Sequence, residues 1–186
     1  MKPWLLNILA CPIDKHHPLE AYWFTWETTE SEMEKMNREA GKPSKYFMKQ
    51  YEHLAKQIED STISPEALEE IYDETGSVYS QEIYIDVKKF LERLKFERDL
   101  DSKEILERFP EGMDVLYRYL NLIEVEEGLL HCTECGRWYP IGSAVETIPE
   151  LMPDDLREED RDREWLTKWK EKIPGKILDE GKPFGL

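Results

Sequence analysis

A chain of 186 residues that is 40% hydrophobic and 35% charged can fold as one sizeable domain or two small ones around a real core. Its net charge of −16 works against free-standing nucleic-acid binding, which needs basic surface to displace counterions. No stretch approaches the ~20 apolar residues of a membrane span, and the heavy use of Glu, Lys and Arg hints at a thermophilic source.

The cysteines are three, Cys11, Cys132 and Cys135. An odd count with a C-x-x-C fits a metal in a reducing compartment better than a disulfide framework. Ile8-Leu9-Ala10-Cys11 looks like a lipoprotein cleavage box. The apolar run from Trp4 to Ala10 is only seven residues, at the short limit for a signal peptide, so a cytoplasmic protein is expected.

In chain order, Pro3 to Ala10 reads as a short helix with proline in the first turn, ended by Cys11-Pro12. Leu19 to Trp26 is aromatic-rich and reads as a strand with imperfect alternation. From about Glu27 to Glu126 strand signal fades. Helices are expected over Ser31 to Ala40 and Ser44 to Asp60. A third starts at Ser64-Pro65-Glu66, where a hydroxyl cap precedes proline and an acid, and runs to about Asp73. Ile83, Val87, Phe90, Leu91 and Leu94 recur at helical spacing and predict a long amphipathic helix to about Leu100. Shorter helices follow, from Ser102 to Phe109 and from Met113 to Leu122. Strand character returns at Ile123 to Val125 and Leu129 to His131 around Glu126-Glu127-Gly128. It recurs at Trp138 to Ile141 and Val145 to Ile148 around Gly142-Ser143, so two hairpins are expected. A charged helix is expected from Asp154 to about Lys172, and the tail after Pro174 reads as loosely held.

The chemistry concentrates at Leu129 to Met152. Cys132 and Cys135 bracket two residues with Gly136 behind them, the knuckle of a zinc ribbon. Two thiolates do not close a tetrahedral site, and the remaining thiol is Cys11, more than a hundred residues earlier. The two chain ends are therefore expected to meet, with the middle as an insertion. The ribbon pattern puts a fourth ligand two intervening residues after Cys11, at Asp14. His16 and His17 are softer donors within reach of the same loop. The plain reading makes Cys11 a buried small hydrophobe and Asp14 a turn cap. A redox C-x-x-C would open a helix, whereas Gly-Arg-Trp-Tyr-Pro follows here as strand and turn. His131 and His53 read as ordinary strand and helix side chains. The sequence contains no readable nucleophile triad, phosphate loop or nucleotide fingerprint. Trp4, Leu5, Leu6, Trp138, Tyr139, Ile141, Ile148, Leu151 and Met152 are many large apolar groups for a small ribbon. They either pack against the insertion or form a partner surface.

MKPWLLNILACP at one end and LLHCTECGRWYPIGSAVETIPELMPDDL at the other resemble the small zinc-binding methyltransferase activator subunits of the TRM one-twelve family. The resemblance covers roughly the first 25 residues and the later ribbon. Asp14 departs from it, standing where many members have cysteine, and the extension from about Glu158 lies outside the family core. The resemblance implies a non-catalytic subunit that binds S-adenosylmethionine-dependent methyltransferases acting on tRNA, rRNA or a translation release factor. S-adenosylmethionine enters only through the partner enzyme. It also implies strand addition at the interface and a helical insertion in longer members.

The expectations are then an α+β protein with a zinc-ribbon-like antiparallel sheet built from residues 1–26 and 123–153. An all-helical insertion spans 27–122, and a charged C-terminal helix and tail span 154–186. Zinc ligands are Cys11, Asp14, Cys132 and Cys135. Contacts to methyltransferase catalytic subunits are expected from Leu5, Leu6, Trp138, Tyr139, Ile148 and Leu151. No direct nucleic-acid or membrane binding is expected, and the rival class is a nucleic-acid-binding zinc ribbon.

Overall fold

The computed structural model describes residues 1–97 and 100–186. Its fold is mixed α+β, built on one four-stranded sheet. Strand β1 (Glu20–Trp26) lies between β2 (Ile71–Asp73) and β3 (Val125–His131), and β4 (Trp138–Ile141) forms the far edge. β1 and β4 both run antiparallel to β3, with Ala21 opposite Leu130 and Leu130 opposite Tyr139.

The sheet is not purely antiparallel, and the middle of the chain is not wholly helical. Ile71 to Asp73 pairs parallel with Ala21 to Trp23. The helix begun by Ser64 stops at Glu69, and the β-branched and aromatic pair Ile71-Tyr72 extends the sheet instead. The hairpin expected at Glu126-Glu127-Gly128 is also absent, because that segment is continuous strand. Gly128 serves close approach rather than a turn: a Cβ there would stand 2.6 Å from the Tyr22 carbonyl oxygen. Val145 to Ile148 forms no strand. Gly142, at φ 83°, turns the chain so that its N–H donates to Ile148, and only Ile141 and Pro149 bridge.

Both faces of the sheet are covered. Odd-numbered β1 residues Ala21 and Trp23, with Leu130, Tyr139 and Ile141, join the larger core. Tyr22, Phe24, Leu129 and Trp138 point the other way into a second core. This period-2 division explains the imperfect alternation of β1, since each parity faces an apolar layer.

The larger core is closed by six helices. They are α1 (Glu30–Glu39), α2 (Met48–Glu59), α3 (Pro65–Glu69), α4 (Val78–Phe96), α5 (Ser102–Arg108) and α6 (Pro110–Asn121). Thr29 with Glu32, and Asp101 with Glu104, make reciprocal capping boxes that start α1 and α5. α4 buries the predicted stripe Ile83, Val87, Phe90, Leu91 and Leu94, and Tyr84 beside it. It ends at Phe96, and the part of its expected extension at 98 and 99 lies outside the described residues. Asp114 is fully buried but accepts from Tyr51 at 2.6 Å and pairs with Arg118 at 2.9 Å, so the charge is not stranded.

The chain start is a 3-10 turn, Pro3–Asn7, rather than an α-helix. Buried Met1 donates from its ammonium to Val125 and pairs with Glu124 at 3.5 Å. The first residue is thereby tied to the start of β3.

The C-terminal region differs most from expectation. A 3-10 turn at Asp154–Leu156 breaks at Arg157 before α7 (Glu159–Trp169). The tail is ordered into α8 (Gly175–Glu180), with Ile173 and Ile177 buried. Trp165, Leu166, Ile173 and Ile177 pack on the second face of the sheet, and that apolar contact holds the segment down. Among the described residues no helix is long and apolar enough to cross a membrane.

Candidate metal centre

Two short loops face each other beside the sheet. One follows the N-terminal 3-10 turn and carries Cys11 to His16. The other joins β3 to β4 and carries Cys132 to Arg137. Their backbones repeat one pattern. Lys15 N–H donates to the Cys11 carbonyl, and Cys11 N–H donates to the His16 carbonyl. Gly136 N–H donates to the Cys132 carbonyl, and Cys132 N–H donates to the Arg137 carbonyl. The fifth residue of each loop is left-handed, Lys15 at φ 65° and Gly136 at φ 73°. By this correspondence Asp14 stands where Cys135 stands in the second loop.

The ligating atoms of Cys11, Asp14, Cys132 and Cys135 all lie within 4.8 Å of one another. Cys11 Sγ is 3.7 Å from Cys135 Sγ, and Cys132 Sγ is 3.5 Å and 3.6 Å from the Asp14 carboxylate oxygens. Thiolates on a tetrahedral zinc stand about 3.8 Å apart, and a sulfur and a carboxylate oxygen about 3.5 Å. The donor set and its spacing therefore fit zinc. The histidines do not join it. His16 Nε2 is 3.1 Å from the Thr133 hydroxyl, and His17 Nδ1 is 2.9 Å from the Leu9 carbonyl. Cys11 and Cys132 are fully buried, Cys135 is half-buried and Asp14 is exposed. Asp14 is thus the solvent-side corner of the site.

The surroundings act on the charges. A hydrogen bond from the His16 N–H, helped by the thiols, holds the Asp14 carboxyl well below its usual range. Burial pushes the Cys132 thiol up to about 12, opposite to the activated thiol of a redox motif. A divalent cation reverses that penalty, because a coordinated thiol is deprotonated. Sequence reasoning missed two neighbours of the ligands. The Tyr139 hydroxyl lies 3.1 Å from Cys11 Sγ, where it can donate to a thiolate. Arg137 sits beside Cys135 and pairs with Asp154 at 2.8 Å, and both contacts raise its pKa. Three thiolates and a carboxylate would leave a divalent cation held there with excess negative charge, which Arg137 is placed to offset. The signal for Tyr139 was alternation: with Trp138 on one face of β4, Tyr139 had to point towards Cys11.

The candidate contact residues fall into two groups. Leu6, Trp138 and Tyr139 are buried in the cores of this chain, the packing alternative weighed for these apolar groups: a ribbon clad on both faces takes them up. Leu5 and Leu151 are half-buried against the larger core. Ile148 is 50% exposed.

A sheet whose distant chain ends converge on three thiols and a carboxylate defines a zinc-ribbon-like module. The model of the Trm112p-like family matches residues 2–142, and the chain belongs to that family. The match takes in both loops and ends one residue past β4. It supports a methyltransferase-activator role in general terms. No curated protein matches the chain.

Proposed function

We propose that the protein is a non-catalytic subunit that binds and stabilises S-adenosylmethionine-dependent methyltransferases acting on tRNA, rRNA or a release factor. The observation that carries this reading is the family match across residues 2–142, which takes in the ribbon and its insertion. The net charge of −16 supports it further, since substrate RNA would be left to the basic surface of the enzyme. The nucleic-acid-binding rival has no such charge to draw on.

Zinc would be held by Cys11, Asp14, Cys132 and Cys135. Bound there, it supplies a crosslink between chain ends rather than a reactive centre. The four protein donors complete its coordination, as in structural sites. A discontinuous platform of residues 1–26 and 123–153 would then carry the insertion 27–122 and the extension 154–186. Leu5, Ile148 and Leu151 are the contact residues that this reading retains, and cytoplasmic residence would keep the thiols reduced.

The test is co-expression of the full chain with each translation-linked methyltransferase of the same source. The expected result is a one-to-one complex with at least one enzyme, with several-fold higher soluble yield and tighter methyl-donor binding. A partner that binds only the folded enzyme stabilises it by mass action. No effect on any such enzyme, together with salt-sensitive tRNA binding by the isolated chain, would transfer the assignment to the rival.

A further inference from the structure

β4 is the edge of the sheet, and an edge strand normally presents unpaired backbone groups to which another chain can add. Here its outward groups are taken. The Trp138 N–H donates to the Lys182 carbonyl at 3.1 Å, and its carbonyl accepts from Arg157 Nη1 at 2.7 Å. Pro140 has no N–H, and its carbonyl accepts from Glu150 N–H at 2.8 Å. Residues from Arg157 onward thus supply both bonds at Trp138. They engage the rest of that residue too. The indole N–H donates to Phe184 at 2.8 Å, the ring stacks on Trp165 at 5.8 Å, and the Arg157 guanidinium sits 4.4 Å from its centroid. The capping residues lie wholly outside the part of the chain that matches the family, which stops at residue 142.

We propose that residues 157–186 form a releasable internal cap on the outer edge of β4 and its adjoining face, so that a protein strand joining the sheet there must first displace them. The gating part of this inference rests on the methyltransferase-subunit reading, and the cap itself does not. Two features favour release as a unit. The segment packs with Tyr22, Phe24, Leu129 and Trp138 of the sheet into a core separate from the one closed by α1 to α6. Its anchor, the buried Arg157–Asp162 pair at 2.7 Å, is incompletely satisfied: Arg157 Nη2 and Asp162 Oδ1 have no partner among the described residues. Such a pair defines register more than it adds stability.

Native-state hydrogen exchange on the full chain tests the cap. The Trp138 amide is expected to exchange together with those of α7 and α8, at least 100-fold faster than amides inside the β1–β3 ladder. Exchange of Trp138 only with global unfolding overturns the proposal. A variant gives a second measurement. A Cβ on Gly181 would stand 2.2 Å from the Ile177 carbonyl oxygen and 2.9 Å from the Trp138 ring. Gly181→Ala is therefore expected to speed exchange at Trp138 about 10-fold while leaving the ladder unchanged, and an unchanged Trp138 counts against the cap. In a complex with a co-expressed methyltransferase, α7 and α8 are expected to lose protection, and retained protection overturns the gate. If no enzyme forms a complex, the subunit reading fails, while exchange in the free chain still judges the cap.

Discussion

The two cysteine-bearing loops are built to one backbone plan and finished with different residues. Both close the same pair of hydrogen bonds, and both pass through a left-handed fifth residue. The second loop spends a glycine there and ends on a half-buried thiol. The first spends a lysine and ends on an exposed carboxylate. The comparison teaches that backbone geometry creates the ligand position, while side-chain chemistry decides how tightly that corner holds.

Removing a shared, buried ligand should do most damage. Cys132→Ser is expected to abolish stoichiometric zinc and to cost on the order of 4 kcal/mol, read by metal analysis and denaturant unfolding. A strong chelator acting on the native chain should approach the same state. If neither changes stability, the two loops are held by packing alone. Making the loops alike should act in the opposite direction. Asp14→Cys is expected to tighten zinc at least 10-fold in a chelator competition, and the cobalt-substituted protein should show stronger thiolate charge-transfer absorption. Asp14→Ala should weaken zinc, and equal affinity in all three proteins would remove Asp14 from the ligand set.

Smaller effects probe the support around the ligands. Tyr139→Phe deletes the hydroxyl beside Cys11 and is expected to lower zinc affinity about 10-fold, in the range of losses for groups that orient ligands. The left-handed residues offer a swap. Gly136→Ala should cost about 1–2 kcal/mol from backbone strain alone, because nothing lies within 4 Å of the added Cβ. Lys15→Gly should stabilise by less than about 1 kcal/mol, since relief of strain is partly cancelled by unfolded-chain entropy. His16→Ala should leave zinc affinity unchanged, and a loss there would restore the histidine as a ligand.

Much of the site was legible because its signals are local. A thiol pair two residues apart with glycine behind it specifies a knuckle whatever surrounds it, and Cys11 was the only thiol left to meet it. The stripe from Ile83 to Leu94 declared α4 in the same way. Gly128 misled because glycine marks both turns and close approaches, and only the position of the Tyr22 carbonyl tells which. Ile71 and Tyr72 misled because a three-residue strand needs a neighbour before it has any pattern. Trp138 was expected at a partner contact because what covers it, α7, α8 and the chain on to Phe184, lies up to 46 residues further along.

The amino-acid sequence by itself determined the three thiols, the mostly helical middle, the acidic surface and the family, all of which depend on residue identity and short-range spacing. Tertiary structure alone decided that Asp14 rather than His16 or His17 faces the thiols, and that the final segment seals one side of the sheet. Those outcomes depend on distances between residues remote along the chain, and such distances exist only once the apolar layers have packed on both faces of the strands.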